Sequence, residues 1–201
     1  MSRGHVSHRD GHVYDFSPAM EPVYEATDGE SLTIETIDSL NGAIQTDDDR
    51  LDAIPEEVNA ATGPIAVEGA RPGDVLAVEI EDVRVTEDRG RVLTAPGFGL
   101  LRDDPDIDHP ATRITEVDAG SDGRDESDGR DEGDGDEDGG GDDHGGTGGG
   151  RIEFEGLDVP IEPVIGTIGV ATAEETISTL TPDDHGGNLD TTDMTAGTTA
   201  Y

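Results

Sequence analysis

No stretch of this chain holds apolar residues at helical spacing for as much as three turns, which excludes helical bundles and alternating α/β folds together. It carries instead short runs of alternating, β-branched sequence, each closed off by glycine or proline. Ser31–Asp38 (SLTIETID) sets Leu32, Ile34 and Thr36 against Thr33, Glu35 and Ile37. Asp74–Val85 sets Leu76, Val78 and Ile80 on one side, with Glu79 and Glu81 on a solvated other. Both patterns have the period of two that a half-buried antiparallel strand requires. Thr62–Val67, Arg91–Thr94, Arg113–Val117, Arg151–Phe154 and Thr195–Tyr201 add further short strands. Arg71-Pro72-Gly73-Asp74 has the residues of a type II turn, proline fixing the first φ and glycine supplying the positive second. Only Ala173–Ser178 admits a turn or two of helix. The expected class is mainly β, an antiparallel sandwich or barrel-like domain.

Asp118–Gly150 differs in kind, being almost wholly glycine and acid. Such a segment cannot bury enough apolar area to offset its ordering entropy, so it is expected to be a long disordered insertion. Because loop closure costs grow only logarithmically with length, the flanks can still share one fold. Residues 1–11 are expected to form a flexible tail and residues 12–201 a single domain interrupted at 118–150. Within the insertion, Asp134, Asp136, Asp138 and Gly139 imitate the start of a calcium loop, but Gly145 stands where the closing bidentate Glu belongs.

Forty-nine acidic residues face 12 basic ones, all arginine, for a net charge of −37. Such a surface repels nucleic acid and anionic membranes, so neither is an expected partner. It looks like the surface of proteins from salt-in halophiles, where concentrated salt screens carboxylate repulsion. The absence of cysteine excludes disulfides, thiolate metal sites and cysteine nucleophiles. No apolar run is long enough to span a membrane, and the first 16 residues lack the apolar core of a signal peptide, so a cytoplasmic location is expected. His5, His8 and His12 sit at spacings a metal could use, without an evident second shell.

The richest chemistry lies at the end of Ile161–Asp190, where His185-Gly186-Gly187-Asn188-Leu189-Asp190 places an imidazole, a carboxamide and a carboxylate around a tight, glycine-permitted turn. Alone, such a hexapeptide also reads as turn punctuation. It belongs, however, to an ordered series: His12-Val13-Tyr14-Asp15-Phe16-Ser17, Ile34-Glu35-Thr36-Ile37-Asp38, Asn59-Ala60-Ala61-Thr62-Gly63-Pro64, Val67-Glu68-Gly69-Ala70-Arg71-Pro72-Gly73-Asp74-Val75-Leu76, Pro96-Gly97-Phe98-Gly99-Leu100-Leu101 and Ile165-Gly166-Thr167-Ile168-Gly169-Val170-Ala171. Together these resemble the acetamidase/formamidase family. The resemblance implies a mainly β fold and hydrolysis of short aliphatic amides to carboxylate and ammonia. Asn59-Ala60 and Ala171-Thr172 depart from the family's usual Asn-Pro and Ala-Pro. Members also continue for about a hundred residues beyond the counterpart of Tyr201, through a Gly-Asp-x-His-Ala…Gly-Asp-Gly-Glu segment that looks like part of the active site. The expectation is therefore an amidohydrolase impaired by shortening, or a non-catalytic remnant or subunit that needs a partner to complete the site; the expected partners are a small amide substrate and a homo-oligomer or a complementing C-terminal segment.

The residue inventory narrows the mechanism independently. Without Cys or Lys, neither Glu-Lys-Cys nor Ser-Ser-Lys amidase chemistry is available, and there is no Gly-x-Ser-x-Gly elbow. Carboxylate or imidazole activation of water remains, with a bound divalent metal as one way to lower the water's pKa and no organic cofactor. The candidates are Asp190 and His185 as base or metal ligands, Asn188 orienting the amide, and Glu35 and Asp38 from the early strand.

Overall fold

A computed structural model describes residues 3–118 and 150–201. No helix occurs among them. The strands are β1 Gly4–Ser7, β2 His12–Val13, β3 Asp15–Phe16, β4 Tyr24–Ala26, β5 Leu32–Glu35, β6 Ala61–Thr62, β7 Ile65–Val67 and β8 Val78–Ile80. They continue as β9 Arg89–Thr94, β10 Ala111–Asp118, β11 Arg151–Phe154, β12 Leu157–Pro160, β13 Thr167–Gly169, β14 Ile177–Ser178, β15 Gly186–Asn188 and β16 Thr198–Ala200. The one larger sheet has the order β12-β11-β10-β9; the rest are two-stranded pairs, β1-β5, β2-β6, β3-β14, β4-β7, β8-β16 and β13-β15. Most pairing is antiparallel as expected, while β1-β5 and β4-β7 run parallel.

The chain divides into two compact units. One comprises Met1–Arg84, Arg91–Ile114 and Pro163–Tyr201; the other comprises Val85–Gly90 and Thr115–Glu162. The first unit draws on both sides of the acidic insertion, so the insertion does not part the flanks. Apart from Asp118, which closes β10, and Gly150, the insertion and its calcium-like run lie outside the described residues.

The expected flexible tail needs correction. Gly4–Ser7 is a strand in parallel register with Leu32–Glu35, and Val6 within it is only 1% exposed. Burial of one valine and four rungs of pairing hold a segment that looked only polar. Among the described residues the histidine trio forms no metal-ligating group: His5 faces Glu35, while His12 meets the His8 carbonyl at 3.0 Å and stands edge-on to Tyr14.

The core of the first unit comes from an irregular stretch. Leu40, Ile44 and Val58 are buried against Leu51, Ile54, Leu93, Ile114 and Leu180. An irregular segment can be buried only if its backbone groups find partners, and acidic side chains supply many of them. Asp38 accepts from Leu40 N at 2.9 Å and Gly42 N at 2.6 Å, while Asp49 accepts from Gln45 N and Thr46 N, both at 2.8 Å. Asp47 takes the Ile114 amide at 2.7 Å, and Arg91 donates to the Ile44 carbonyl at 2.8 Å.

Two other expectations are met or shortened. The Arg71–Asp74 turn forms as read, with Gly73 at φ 98° and the Asp74 amide on the Arg71 carbonyl at 3.0 Å. The long strand expected over Asp74–Val85 contracts to Val78–Ile80, paired with Thr198–Ala200, and Val75 and Leu76 stay exposed. The helix considered at Ala173–Ser178 is absent; its end is β14, paired with β3.

Candidate active site

β13 and β15 form a three-rung antiparallel ladder, Thr167↔Asn188, Ile168↔Gly187 and Gly169↔Gly186. Gly186 and Gly187 hold φ of 100° and 108°, which side chains avoid, and an added Cβ on either would strike backbone: the Ile168 carbonyl oxygen for Gly186, that of Thr181 for Gly187. His185 lies beyond the Gly169↔Gly186 rung and Asp190 beyond the Thr167↔Asn188 rung. The two strongest candidates therefore occupy opposite ends of the ladder.

At the first end the His185 carbonyl accepts the Val170 amide at 2.9 Å, and its ring lies on Phe16 with centroids 5.1 Å apart. Gly169 permits that approach, since a Cβ there would stand 2.9 Å from both the His185 carbonyl oxygen and the Phe16 ring. The His185 Nε2 is buried with no hydrogen-bond partner among the described residues. A buried imidazole nitrogen left unmatched is costly, so a ligand that matched it would be favoured there.

At the other end the Gly166 carbonyl takes the amides of both Leu189 (2.8 Å) and Asp190 (3.1 Å). Asp190 adopts φ 45°, uncommon for a residue other than glycine. Asn188 Nδ2 donates to Asp190 Oδ2 at 2.7 Å, and the Thr167 hydroxyl lies 3.0 Å from Asn188 Oδ1. Asp190 itself is exposed. Asn188 thus directs one amide hydrogen at the Asp190 carboxylate.

Glu35 and Asp38 are engaged elsewhere. The Ser7 hydroxyl, with His5 and Arg9 behind it, holds the Glu35 carboxyl below the usual carboxylate range, and His5 Nε2 stands 3.4 Å from it. Both Asp38 oxygens cap the turn that leads to the Leu40 core position. As to metal, no group of three His, Cys, Asp or Glu is arranged around one point among the described residues. His185 and Asp190, at opposite ends of the ladder, do not make such a site by themselves.

Sequence reasoning missed Gly166, Thr167, Gly169 and Phe16. They lie in motifs that were recognised, but their roles depend on which residue stands across the ladder, a register that spacing along the chain does not reveal.

The sequence profile of the Acetamidase/Formamidase family matches residues 4–171. The chain belongs to that family. The formamidase of Methylophilus methylotrophus is 31% identical to it over 104 residues, covering 47% of this chain and 26% of the relative. The solved acetamidase of Bacillus halodurans superposes with a TM-score of 0.75 at 30% identity, covering 97% of this chain and 55% of its own. A solved predicted acetamidase/formamidase from Thermoanaerobacter tengcongensis gives 0.75 at 31%, covering 98% and 55%. This acetamidase/formamidase family member thus spans about half the length of the solved relatives. No helix among the described residues is long and apolar enough to cross a membrane.

Proposed function

We propose that this chain carries part of the active site of an amidohydrolase that converts short aliphatic amides, such as formamide or acetamide, to carboxylate and ammonia. The observation that carries this reading is the exposed Asp190 carboxylate, held through Oδ2 by Asn188 at 2.7 Å, in a chain whose family is shown. Asp190 takes a proton from water as the water oxygen bonds to the amide carbon. Collapse of the tetrahedral intermediate breaks the C–N bond as the proton on Asp190 passes to the departing nitrogen, and the new carboxylic acid gives its remaining proton to the ammonia, so that carboxylate and ammonium leave. His185 offers Nε2 as a hydrogen-bond partner for a ligand at the other end of the ladder. A divalent ion held by His185 or Asp190 would need its remaining ligands from elsewhere, so no step is routed through one. A cysteine-free, strongly acidic chain suits a cytoplasmic setting.

Ammonia release from formamide and acetamide in molar KCl tests the assignment. Loss of a positioned general base lowers turnover by about 10²- to 10⁴-fold, the effect expected of Asp190→Asn. Unchanged turnover in that variant would remove Asp190 from the mechanism.

The 55% coverage of the solved relatives favours a second reading, a subunit or piece whose site is completed by a further segment or a second copy. It is distinguished by adding the remaining portion of a relative to this chain. Ammonia release that appears only in the mixture, and is lost with Asp190→Asn, would establish it.

A further inference from the structure

Two links and a notch surround the Asp190 carboxylate, and their chemistry has only one consistent direction. An ionised carboxylate is acceptor-only, so the Asn188 atom 2.7 Å from Asp190 Oδ2 must be its nitrogen. The carboxamide oxygen must then face Thr167, and the Thr167 hydroxyl, 3.0 Å away, must be the donor. Thr167 and Asn188 are directly opposed in the ladder, so the backbone register sets that donor against its acceptor. On the far side of the carboxylate, a Cβ at Gly166 would lie 2.8 Å from Asp190 Oδ1. Bare backbone at Gly166 therefore leaves the space that this oxygen occupies, and the Gly166 carbonyl grips the two amides that fix the turn.

We propose that Thr167 is a positioning residue for Asp190: its hydroxyl locks the Asn188 carboxamide in the one orientation that donates to the carboxylate, over the notch at Gly166. This rests on the reading of Asp190 as the base, and it deepens that reading by naming what aims it. Thr167 touches neither substrate nor the reacting water in this scheme; it acts only through Asn188. A conservative Thr167→Ser keeps the donor. Thr167→Val keeps the shape and removes it, leaving a half-buried carboxamide oxygen that is better satisfied by turning toward water.

The test reads the Asn188 side-chain amide directly and needs no turnover, so failure of the amidase reading and failure of this one are distinguishable. The ¹⁵N-labelled chain is studied in molar KCl, with the side-chain amide of Asn59 as reference. The Asn188 amide should exchange with water about tenfold more slowly than that of Asn59, as a charge-assisted hydrogen bond implies. Asp190→Ala and Thr167→Val should each bring it to the reference rate, and Thr167→Ser should preserve the slow exchange. Backbone amides of β13 and β15 show whether each variant is folded; if Thr167→Val is not, Thr167→Ala carries the same test. Slow exchange that survives in the folded Val or Ala variant, or is lost in Ser, would overturn the proposal, as would fast exchange in the parent chain.

Discussion

Replacing Gly187 with alanine should be among the most damaging single changes in the site region, and the structure lets its two causes be separated. At φ 108° any side chain is strained, by about 1–3 kcal/mol for a residue held in such a region. The new Cβ would also collide with the Thr181 carbonyl oxygen and stand 2.9 Å from the Thr181 carbonyl carbon and 3.1 Å from Pro182 Cα. All three are backbone atoms, so relief requires moving the chain, and overpacking of that kind adds about 1–3 kcal/mol. The sum, about 2–6 kcal/mol, is a large share of the 5–15 kcal/mol or so that stabilises a typical domain. Gly73→Ala is the control: its φ of 98° is similar, but nothing lies within 4 Å of the added carbon. Loss of glycine's unfolded-state entropy affects both variants alike and cancels in the comparison. Urea unfolding in molar KCl, followed by tyrosine fluorescence, is the assay. Tyr14, Tyr24 and Tyr201 all lie in the first unit, and with no tryptophan in the chain the signal reports that unit alone. With a slope of about 1–3 kcal/mol per molar urea, the Gly187 midpoint should fall below that of Gly73→Ala by about 1 M. Equal midpoints would refute the reasoning, showing that the Thr181–Pro182 backbone yields freely and only φ matters.

Thr179 is fully buried, and its hydroxyl is shared between the Tyr14 and Val58 carbonyls at 3.1 Å each; because Tyr14 keeps the Thr179 amide, Thr179→Val chiefly orphans Val58 and should cost about 1–3 kcal/mol in the same assay. Glu30, Glu35, Asp49 and Glu81 have carboxyls held below their usual range, foremost by Tyr24, Ser7, the Gln45 amide and Ser31 respectively. A depressed folded-state pKa stabilises above the unfolded value and is lost as pH falls through the folded one, so stability should decline below about pH 4. Tyr24→Phe, which removes the 2.6 Å bond to Glu30, should start that decline at higher pH in an acid-unfolding series; an unmoved curve would show that this bond contributes nothing. Raising KCl from 0.1 to 1 M shortens the Debye length from about 10 to 3 Å, and unfolding midpoints should rise accordingly; a flat series would mean that the charge of −37 is not a salt adaptation.

Local pattern was legible where side chains alternate or a turn demands a particular residue. Ser31–Asp38 and Arg151–Phe154 carry β5 and β11, and Pro72-Gly73 makes its turn because φ preferences are properties of single residues. Partnership was not legible. Gly4–Ser7 reads as a polar tail until its parallel neighbour Leu32–Glu35 is present, and Leu40, Ile44 and Val58, from a stretch with no strand period, form a buried cluster. The missing information is long-range. An irregular segment becomes core only when its backbone is satisfied, and here Asp38 and Asp49 do this from positions indistinguishable in sequence from the other acids.

The same reasoning separates the site candidates. A chain with 49 acids offers a carboxylate near almost any position, so type alone says little about which one is a base. What distinguishes Asp190 from Asp38 is the number of oxygens already committed. Asp38 has both oxygens on backbone amides and is tied into the turn that buries Leu40. Asp190 has one oxygen on Asn188 and the other beside Gly166, where a Cβ would stand 2.8 Å from it. An oriented carboxylate with one uncommitted oxygen can accept a proton without dismantling the fold; a carboxylate that caps two amides cannot. Asp38→Asn should therefore appear as lost stability, since its amide nitrogen cannot replace an acceptor, whereas Asp190→Asn should appear as lost turnover at nearly unchanged stability. The opposite assignment of effects in unfolding and ammonia-release assays would exchange the roles of the two residues.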